Sequence, residues 1–350
     1  MHATRRIDSA ACRAIVACIM SHTYNWAVLG CGKIAGKFAA DLKTLANARL
    51  YAAASRSIDT ARAFAVQAGF QKAYGSYEEL VSDPEVDIVY VATPHSHHRD
   101  HTLLCLKRRK AVLCEKAFAI NSREVAEMIA AARTNDTFLM EAFWTRFQPS
   151  FQKVLDIVSS GELGTLKLVR ADFAFKGVYD PDKRLYNVAL GGGSLLDIGI
   201  YPVFAALMTL GKPDTIKTLA SFCATGAEES IVMSFGYPGG RMASLASSIA
   251  ADSPTQAEFW FEGGYARLNR QFNNASSLTL GKAKAEETTI SFGRGRGSGY
   301  ELEAAHVMDC LDSGKKESPL LPLSFSADLM EVLDRVRKDA GIVFPDHDET

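Results

Sequence analysis

Short apolar runs and amphipathic helical patterns alternate along the first part of the chain. The run Val86–Ala92 consists almost entirely of β-forming apolar residues, which is typical of a strand buried on both faces. Strands that alternate with helices predict a parallel, doubly wound sheet. The predicted strands are Tyr24–Leu29, Arg49–Ala54, Val86–Ala92, Lys110–Cys114 and Thr137–Met140, and the predicted helices are Lys33–Leu45, Thr60–Ala68, His98–Lys107 and Ser122–Arg133.

The pattern changes near residue 150. A long apolar helix, Leu195–Leu210, ends at Gly211, and strand-like runs separated by turn residues follow it. Strands without helices between them predict a mostly antiparallel sheet. The predicted strands are Thr165–Phe175, Ile216–Phe222, Glu229–Phe235, Arg241–Ile249, Ala257–Glu262, Ala266–Asn269, Ser277–Leu280 and Thr288–Ser291, and the closing helices are Tyr300–Leu311 and Ser324–Lys338.

These patterns predict an α/β protein with three parts. A doubly wound parallel sheet occupies residues 23–145, and an α+β domain with a large, mostly antiparallel open sheet occupies residues 146–350. Residues 1–22 contain a short apolar stretch after Arg5-Arg6 that faintly resembles a signal peptide, but Arg13 interrupts it. We expect a disordered extension or a start assigned too early, with Met20 as the true start.

The composition is that of an ordinary soluble globular protein. The 350 residues include 39 Lys+Arg and 40 Asp+Glu, so the net charge of −1 excludes the basic surface of a nucleic-acid binder. No apolar run reaches the roughly 18–20 residues of a membrane span, which excludes an integral membrane protein. The seven cysteines are scattered and form no CxxC, so a reducing cytoplasm is the simplest compartment.

A glycine motif directly follows the first predicted strand and begins the first helix. The segment Gly30-Cys31-Gly32-Lys33-Ile34-Ala35 fits GxGxxA, in which the first Gly permits a tight turn and the second lets the backbone approach a pyrophosphate. The helix N-terminus supplies N–H donors to the phosphates. The motif in this context predicts a dinucleotide site rather than a simple tight turn.

The end of the second strand indicates which dinucleotide is bound. In NAD enzymes an acidic residue about 20 residues after the glycines binds the ribose 2′-hydroxyl. Here Ser55-Arg56 occupies that place, and no acid follows until Asp59. An arginine pairs well with a 2′-phosphate. We therefore expect NADP, with NAD the less favoured cofactor.

Histidines are concentrated after the third long strand, in Thr93-Pro94-His95-Ser96-His97-His98-Arg99-Asp100-His101. His97 and His101 have helical i, i+4 spacing, but no carboxylate or third ligand has metal-site spacing with them. We expect no metal. The carboxyl end of a parallel strand favours contact with cofactor or substrate, which makes Thr93, Pro94, His95 and His98 candidate cofactor-binding residues.

Two further charged groups follow apolar segments. Glu115-Lys116 ends the fourth strand, where the lysine could orient a substrate hydroxyl. After Gly191-Gly192-Gly193, Asp197 and Tyr201 stand four residues apart on the predicted helix and share one face. Both side chains need polar partners, which a cleft against the first domain would supply.

A second glycine-rich segment, Phe292–Gly299, contains two arginines that could attract an anion. Its spacing fits neither GxGxxG nor a P-loop, and no βαβ unit surrounds it. We interpret it as a flexible loop that leads into the helix at Tyr300–Leu311.

Together these motifs resemble the glucose–fructose oxidoreductase / inositol dehydrogenase / rhizopine-catabolism family of NAD(P)-dependent oxidoreductases. The likeness spans residues 24–343. The usual Glu-Lys-Pro is Glu115-Lys116-Ala117 here, and the usual His four residues after the Asp is Tyr201. Both departures, and the segment Met140–Phe147, look like the branch that contains dimeric dihydrodiol dehydrogenases and NADP-dependent D-xylose dehydrogenases.

The resemblance implies a Rossmann domain, hydride transfer between NADP and a secondary alcohol of a sugar or cyclic diol, and a homodimer formed through the C-terminal sheet. It implies Tyr201 as the proton-transfer group, assisted by Lys116, with Asp197 shaping the site. A nearby Lys116 charge would lower the pKa of Tyr201 and favour its phenolate. Candidate substrate walls are Trp144, Phe173 and Tyr300.

Two alternatives remain open at this point. A non-catalytic NAD(P)-binding sensor would keep the glycine motif and lose the proton-transfer groups, but Lys116, Asp197 and Tyr201 are all present, which favours an enzyme. A reductase of C=C or C=N bonds would share every motif and differ only in the shape of its substrate.

Overall fold

A computed structural model describes residues 22–282, 284–293 and 295–348. Its first sheet contains six parallel strands in the order β3-β2-β1-β4-β5-β6. Strands β1 to β3 are added toward one edge of the sheet, and β4 to β6 are added toward the other edge. The order therefore switches between β1 and β4, and a crevice opens there at the carboxyl ends of the strands. The strands are β1 (Tyr24–Leu29), β2 (Ala48–Ala54), β3 (Lys72–Tyr74), β4 (Ile88–Val91), β5 (Ala111–Glu115) and β6 (Leu139–Ala142).

Helices connect these strands and cover the sheet. All residues of β1, β4 and β5 are buried, as expected of strands covered on both faces. The connecting helices are α1 (Lys33–Leu42), α2 (Ile58–Ala68), α3 (Tyr77–Ser82), α4 (His98–Lys107) and α5 (Ser122–Thr134), and α6 (Pro149–Ser160) follows the last strand.

The second sheet has eight strands in the order β14-β13-β12-β11-β7-β10-β9-β8. Only β7 and β10 pair in parallel, and all other neighbours are antiparallel. The strands are β7 (Leu166–Ala174), β8 (Thr215–Phe222), β9 (Glu228–Tyr237), β10 (Arg241–Ser248), β11 (Ala257–Phe261), β12 (Gly264–Leu268), β13 (Ser277–Lys282) and β14 (Thr288–Ser291).

Three helices of the second half of the chain pack on the sheets and on their helices. Helix α7 (Ile200–Leu210) packs on β7 and β10 and is buried along most of its length. Helix α8 (Tyr300–Asp312) packs against α1, and α9 (Leu323–Ala340) packs against both α5 and β8. The C-terminal helices therefore return to the first sheet.

The α/β fold class is confirmed, including the parallel first sheet and the mostly antiparallel second sheet. The sequence pattern missed β3, α3 and α6, because the first two are only three and six residues long. Helix α6 begins at Pro149, a residue that suits the first helical position. The predicted N-terminal extension lies outside the described residues, apart from His22.

The predicted helix Leu195–Leu210 is not one continuous α-helix. Residues Leu195–Gly199 form a π-helical turn, in which Ile200 N–H donates to the Leu195 carbonyl, and the α-helix begins at Ile200. Pro202 lies in the first turn of α7 and has no N–H to donate to the carbonyls of the π turn before it. Asp197 therefore lies in the wider π turn, a type of turn that is frequent at functional sites.

The stretch Val188–Leu210 also corrects the expectation about membrane spans. By length and composition alone it could cross a membrane, but 83% of its apolar 18-residue stretch is buried inside the protein. Since its apolar surface packs on β7 and β10, the stretch serves as a core element.

Candidate active site

The glycine motif forms the turn between β1 and α1. Gly30 has a φ of +100°, and a Cβ at this position would lie 2.9 Å from the Ala92 carbonyl oxygen at the end of β4. A side chain would collide with β4, so the turn requires glycine. Gly30 N–H also donates to the Ala54 carbonyl of β2.

The N-terminus of α1 is free to face a phosphate. Gly32 is its N-cap, and no side chain caps the first turn. A Cβ built on Gly32 would meet nothing within 4 Å, so the backbone is open on its cavity side. Ala35 is fully buried and lets the helix pack closely on the sheet. The motif therefore fits the pyrophosphate of a nicotinamide dinucleotide.

Ser55 and Arg56 follow β2 beside this turn. Ser55 N–H donates to the Tyr74 carbonyl, and the Arg56 side chain is exposed. The first acidic residue after β2 is Asp59, which lies in the first turn of α2. Arg56 is thus the first charged residue in sequence after β2, and its guanidinium is exposed.

Two buried histidines tie the crevice loops together. The ring nitrogens of His98 lie 2.8 Å from the Thr93 carbonyl and 2.7 Å from the Ala117 carbonyl, which links the ends of β4 and β5. His95 Nδ1 lies 3.1 Å from the Gly191 carbonyl. Burial lowers the pKa of His98 to about 4, against the two carbonyl contacts that raise it, and holds the pKa of His95 well below its usual value. No metal-binding group of three or more His, Cys, Asp or Glu side chains exists among the described residues.

Lys116 extends from the end of β5 to the π turn. Its Nζ donates to the Asp197 carbonyl at 2.5 Å and lies 3.8 Å from Asp197 Oδ1. The same Nζ is 5.2 Å from the centre of the Tyr201 ring. The adjacent Glu115 accepts a hydrogen bond from the Tyr90 hydroxyl, and burial raises its pKa.

Asp197 carries a second cationic partner that the sequence pattern did not reveal. Arg184 Nη2 lies 3.0 Å from Asp197 Oδ1. Burial opposes ionisation of Asp197, but the charges of Arg184 and Lys116 outweigh it and hold the pKa at about 2. Asp197 is therefore ionised at neutral pH.

Tyr201 lies in the first turn of α7 and faces the same cavity. Its hydroxyl oxygen accepts a hydrogen bond of 3.0 Å from Trp144 Nε1. Burial raises the pKa of Tyr201 well above 10, and the negative charges that Tyr300 and Glu115 carry when ionised add to this effect. The expectation of a lowered pKa is therefore wrong, because burial of the phenol outweighs the nearby Lys116 ammonium.

Aromatic rings form one side of the cavity. Trp144 and Tyr300 stack with their ring centres 4.4 Å apart and their planes at 9°. The Phe173 ring lies 5.4 Å from the Tyr201 ring. The substrate walls proposed from the sequence thus lie next to Tyr201.

A single cavity of about 880 Å³ joins these groups. Of the residues expected from the sequence, its lining includes Gly32, Lys33, Ile34, Thr93, Pro94, His95, His98, Glu115, Lys116, Trp144, Phe173, Asp197, Tyr201 and Tyr300. The expected residues outside its lining are Gly30, Ala35, Ser55 and Arg56, which lie in or beside the glycine turn.

The sequence pattern missed several lining residues, most of them on loops. Besides Arg184, they include Lys37, Phe175, Asp252, Arg270 and Gln271. Lys37 stands one turn after Lys33 on α1, so helical spacing could have found it. The loop residues carry no periodic signal, and only the folded chain brings them to the cavity.

Comparison with known proteins assigns the chain to a family. Residues 24–143 match an oxidoreductase family with an NAD-binding Rossmann fold, and residues 151–267 match the GFO/IDH/MocA C-terminal domain. Together the two matches cover more than half of the chain. The chain belongs to the GFO/IDH/MocA oxidoreductase family. The family resemblance inferred from the motifs is thereby confirmed.

Curated relatives of this GFO/IDH/MocA protein are dehydrogenases. A trans-1,2-dihydrobenzene-1,2-diol dehydrogenase of Mus musculus is 37% identical over 328 residues, which is 92% of this chain and 98% of the mouse protein. The human enzyme of the same name is 38% identical over 332 residues, again 92% of this chain and 98% of its relative. The expectation of an NAD(P)-dependent dehydrogenase, rather than a non-catalytic sensor, is confirmed.

Solved structures support the fold. An aldose-aldose oxidoreductase from Caulobacter crescentus superimposes with a TM-score of 0.83 at 24% identity, covering 91% of this chain and 98% of that one. KijD10, a 3-ketoreductase from Actinomadura kijaniata solved with NADP and TDP-benzene, gives the same TM-score, identity and coverage. At this identity the likeness shows the shared two-sheet fold alone.

Proposed function

We propose that this oxidoreductase transfers hydride between NADP and a ring secondary alcohol of a cyclic diol, with Tyr201 exchanging the alcohol proton. One observation carries the proposal: the Tyr201 hydroxyl, fixed by Trp144, faces the cavity that also contains Lys116 and the open N-terminus of α1. The proton-transfer group and the phosphate-binding turn thus share one cavity.

The cofactor supplies the hydride chemistry at its nicotinamide ring when it is bound. Gly30, Gly32 and the first turn of α1 would bind its pyrophosphate. His95, through its bond to the Gly191 carbonyl, would hold the loop after β4 against the glycine loop before Asp197. The chain's own residues must then orient the alcohol and manage its proton.

Tyr201 is the group best suited to carry that proton. Since burial raises its pKa, the phenol is protonated in the isolated protein and is ready to donate to a carbonyl in the reductive direction. In the oxidative direction it must lose its proton, and two contacts favour the phenolate. Trp144 donates to its oxygen, and the Lys116 ammonium lies 5.2 Å from its ring centre.

Asp197 is less suited to the role of direct base. With a pKa of about 2 it is a weak base for an alcohol proton. Its carboxylate instead neutralises Arg184 and Lys116, and its carbonyl fixes the Lys116 ammonium. We infer that Asp197 orients Lys116 toward the substrate hydroxyl.

The aromatic wall favours a cyclic diol as the substrate. A flat apolar ring buries its faces well between aromatic side chains, and Trp144, Tyr300 and Phe173 supply such surfaces in the cavity. The names of the mouse and human relatives agree with this preference. A sugar such as D-xylose is the second candidate, because sugar rings present hydroxyls to the same polar groups.

We propose NADP as the preferred cofactor. The support is Ser55-Arg56 at the end of β2, where a guanidinium is exposed and no carboxylate competes for the ribose.

We also propose a homodimer in the cytoplasm. The outer face of the second sheet exposes Leu219, Val232, Met242 and Trp260 on four strands, and such an apolar face is typical of a subunit interface.

The cysteines support the proposed cytoplasmic location. The five cysteines within the described ranges are all free thiols, as expected in a reducing compartment.

A substrate panel tests the proposed reaction. Purified protein is mixed with NADP and with cyclic diols or sugars, and NADPH formation is followed at 340 nm. We expect turnover of a cyclic trans-diol with a higher kcat/KM than that of any sugar. Turnover of sugars alone would make a sugar the substrate in place of a cyclic diol. Turnover of neither diols nor sugars would refute the proposal.

A further inference from the structure

The glycine-rich segment Phe292–Gly299 ends in an unusual cap on α8. Asp41 accepts hydrogen bonds from the backbone N–H groups of Ser298, at 2.8 and 2.9 Å, and of Tyr300, at 2.9 Å. Glu301 accepts from the N–H groups of Gly297, at 3.1 Å, and Gly299, at 2.7 Å. Four consecutive N–H groups are therefore occupied by carboxylates, so this part of the loop offers none of them to a bound anion.

Asp41 reaches this cap from the nucleotide-binding part of the protein. It lies in the last turn of α1, the helix whose first turn faces the phosphate site, and is 257 residues from Ser298 in sequence. Its side chain is 3% exposed. A Cβ on Gly297 would lie 2.6 Å from the Asp41 carboxyl carbon, so the loop packs closely against this carboxylate.

The residue that follows the cap belongs to the aromatic wall. Tyr300 is the first residue of α8 and stacks on Trp144. Gln148 supports the same pair, because its Nε2 lies 3.1 Å from the Gly299 carbonyl and 3.2 Å from the Trp144 carbonyl. Trp144 in turn donates to the Tyr201 hydroxyl. A continuous series of contacts leads from Asp41 to Tyr201.

We propose that Asp41, together with Glu301, is a positioning residue that holds Tyr300 against Trp144 and thereby fixes the Trp144 N–H on the Tyr201 hydroxyl. The kinetic part of this inference rests on the proposed function. Since Asp41 lies in the last turn of the helix that Gly32 caps, one rigid element sets both the phosphate site and the aromatic wall.

The substitution Asp41→Asn tests the inference. An amide has a single acceptor oxygen, and its NH₂ group faces backbone N–H donors, so the cap is weakened. We expect KM for a cyclic diol to rise about three- to tenfold, the range that one aromatic pair accounts for, with a lower kcat. The Kd for NADP should stay within about twofold, because the substitution leaves the first turn of α1 intact.

Asp312→Asn is the matched control. Asp312 lies at the other end of α8 and accepts a hydrogen bond from the Tyr24 hydroxyl at 2.7 Å, so it also ties α8 to the first sheet. It touches neither the loop nor the wall. We expect its kinetic constants to match those of the wild type. If Asp312→Asn raised KM as much as Asp41→Asn, the effect would be a general loosening of α8 and the inference would be wrong.

A double substitution separates positioning from plain structural support. Because Asp41 acts through Tyr300, Asp41→Asn combined with Tyr300→Ala should be no worse than Tyr300→Ala alone. Losses that multiply in the double variant would overturn the inference. If Asp41→Asn does not fold, Glu301→Gln weakens the same cap and is measured against the same control and partner variant.

Near-ultraviolet circular dichroism tests the cap without turnover. The stacked Trp144 and Tyr300 rings give a signal that Asp41→Asn and Tyr300→Ala should reduce in the same way and that Asp312→Asn should keep. An unchanged spectrum in Asp41→Asn would refute the positioning role. If the wild-type protein oxidises no diol or sugar, the proposed function fails, while the spectral comparison still decides the role of Asp41.

Discussion

Trp144 Nε1 donates a hydrogen bond of 3.0 Å to the hydroxyl oxygen of Tyr201. The indole comes from the turn after β6, and the phenol comes from the first turn of α7, 57 residues later. The bond occupies one acceptor position of the oxygen, which leaves the phenol proton free to point elsewhere. A donor at this oxygen also favours the phenolate over the phenol, and so opposes the effect of burial on the pKa.

Removal of this donor should shift the pH profile. In Trp144→Phe the ring can still stack on Tyr300, but the N–H is lost, so the pKa of Tyr201 rises. Because kcat/KM for alcohol oxidation falls below the pKa of the base, we expect this ionisation to move up by about one to two pH units, since a hydrogen bond to a charged group contributes about 1.5–3 kcal/mol. A profile of kcat/KM against pH measures the shift. An unchanged profile would show that the bond does not act on the titrating group.

Tyr201→Phe should abolish most of the turnover. We expect kcat to fall by roughly 10²–10⁴, the usual contribution of general acid–base catalysis, with unchanged NADP binding. Lys116→Ala should act similarly, and the double variant should be little worse than either single one, because the two residues work as a unit. Tyr179→Phe, at a half-exposed tyrosine outside the cavity, is the control. Near-native kcat in Tyr201→Phe would assign the proton to Asp197 or His95.

Arg56→Ala tests the choice of cofactor. Loss of the guanidinium should weaken NADP binding by about 1.5–3 kcal/mol, the strength of a hydrogen bond to a charged group, and leave NAD binding almost unchanged. Quenching of tryptophan fluorescence by each cofactor gives both Kd values. Arg62→Ala, an exposed arginine further along α2, is the control. Tighter binding of NAD than of NADP by the wild type would contradict the prediction.

Glu228 should make stability depend on pH. Burial raises the pKa of this carboxyl to about 8, while its Oε1 accepts from Ser194 Oγ and from Leu195 N–H at the start of the π turn. A raised acid pKa means that the folded state keeps a proton that the unfolded state loses above pH 4.5. Its stability contribution is therefore full below about pH 4.5 and is lost as the pH rises toward 8.

Glu228→Gln removes this ionisation and keeps an acceptor oxygen for Ser194 and Leu195. We expect its Tm to exceed that of the wild type increasingly as the pH rises from 5 to 8, where the wild type loses this contribution. Thermal unfolding across that range measures the difference. Parallel curves for the two proteins would show that Glu228 does not titrate in this window.

A charge on the outer face of the second sheet should weaken the proposed dimer. Met242 is 54% exposed on β10, and Met242→Lys would place an ammonium on the apolar face. We expect sedimentation velocity to show dimers for the wild type and monomers for the variant at micromolar concentration. Val66→Lys, at an 86% exposed residue of α2, should remain dimeric. A monomeric wild-type protein would refute the dimer.

The sequence by itself determined the features that depend on near neighbours along the chain. The run Val86–Ala92 predicted a fully buried strand, and the structure contains β4 within it. The GxGxxA motif predicted a tight turn because its geometry is set by six consecutive residues, and Gly30 indeed adopts a φ of +100°. Alternation of strands with helices, and later of strands with turns, predicted the two kinds of sheet.

Only the tertiary structure decided how the candidate site is connected. Arg184 pairs with Asp197, Trp144 bonds to Tyr201, and Asp41 caps α8 across 257 residues. No local pattern encodes these contacts, because each depends on where two separate elements come to lie. The pKa of Tyr201 followed the same rule. The sequence placed Lys116 near the phenol, but burial of the phenol reversed the expected shift, since desolvation depends on everything packed around a group.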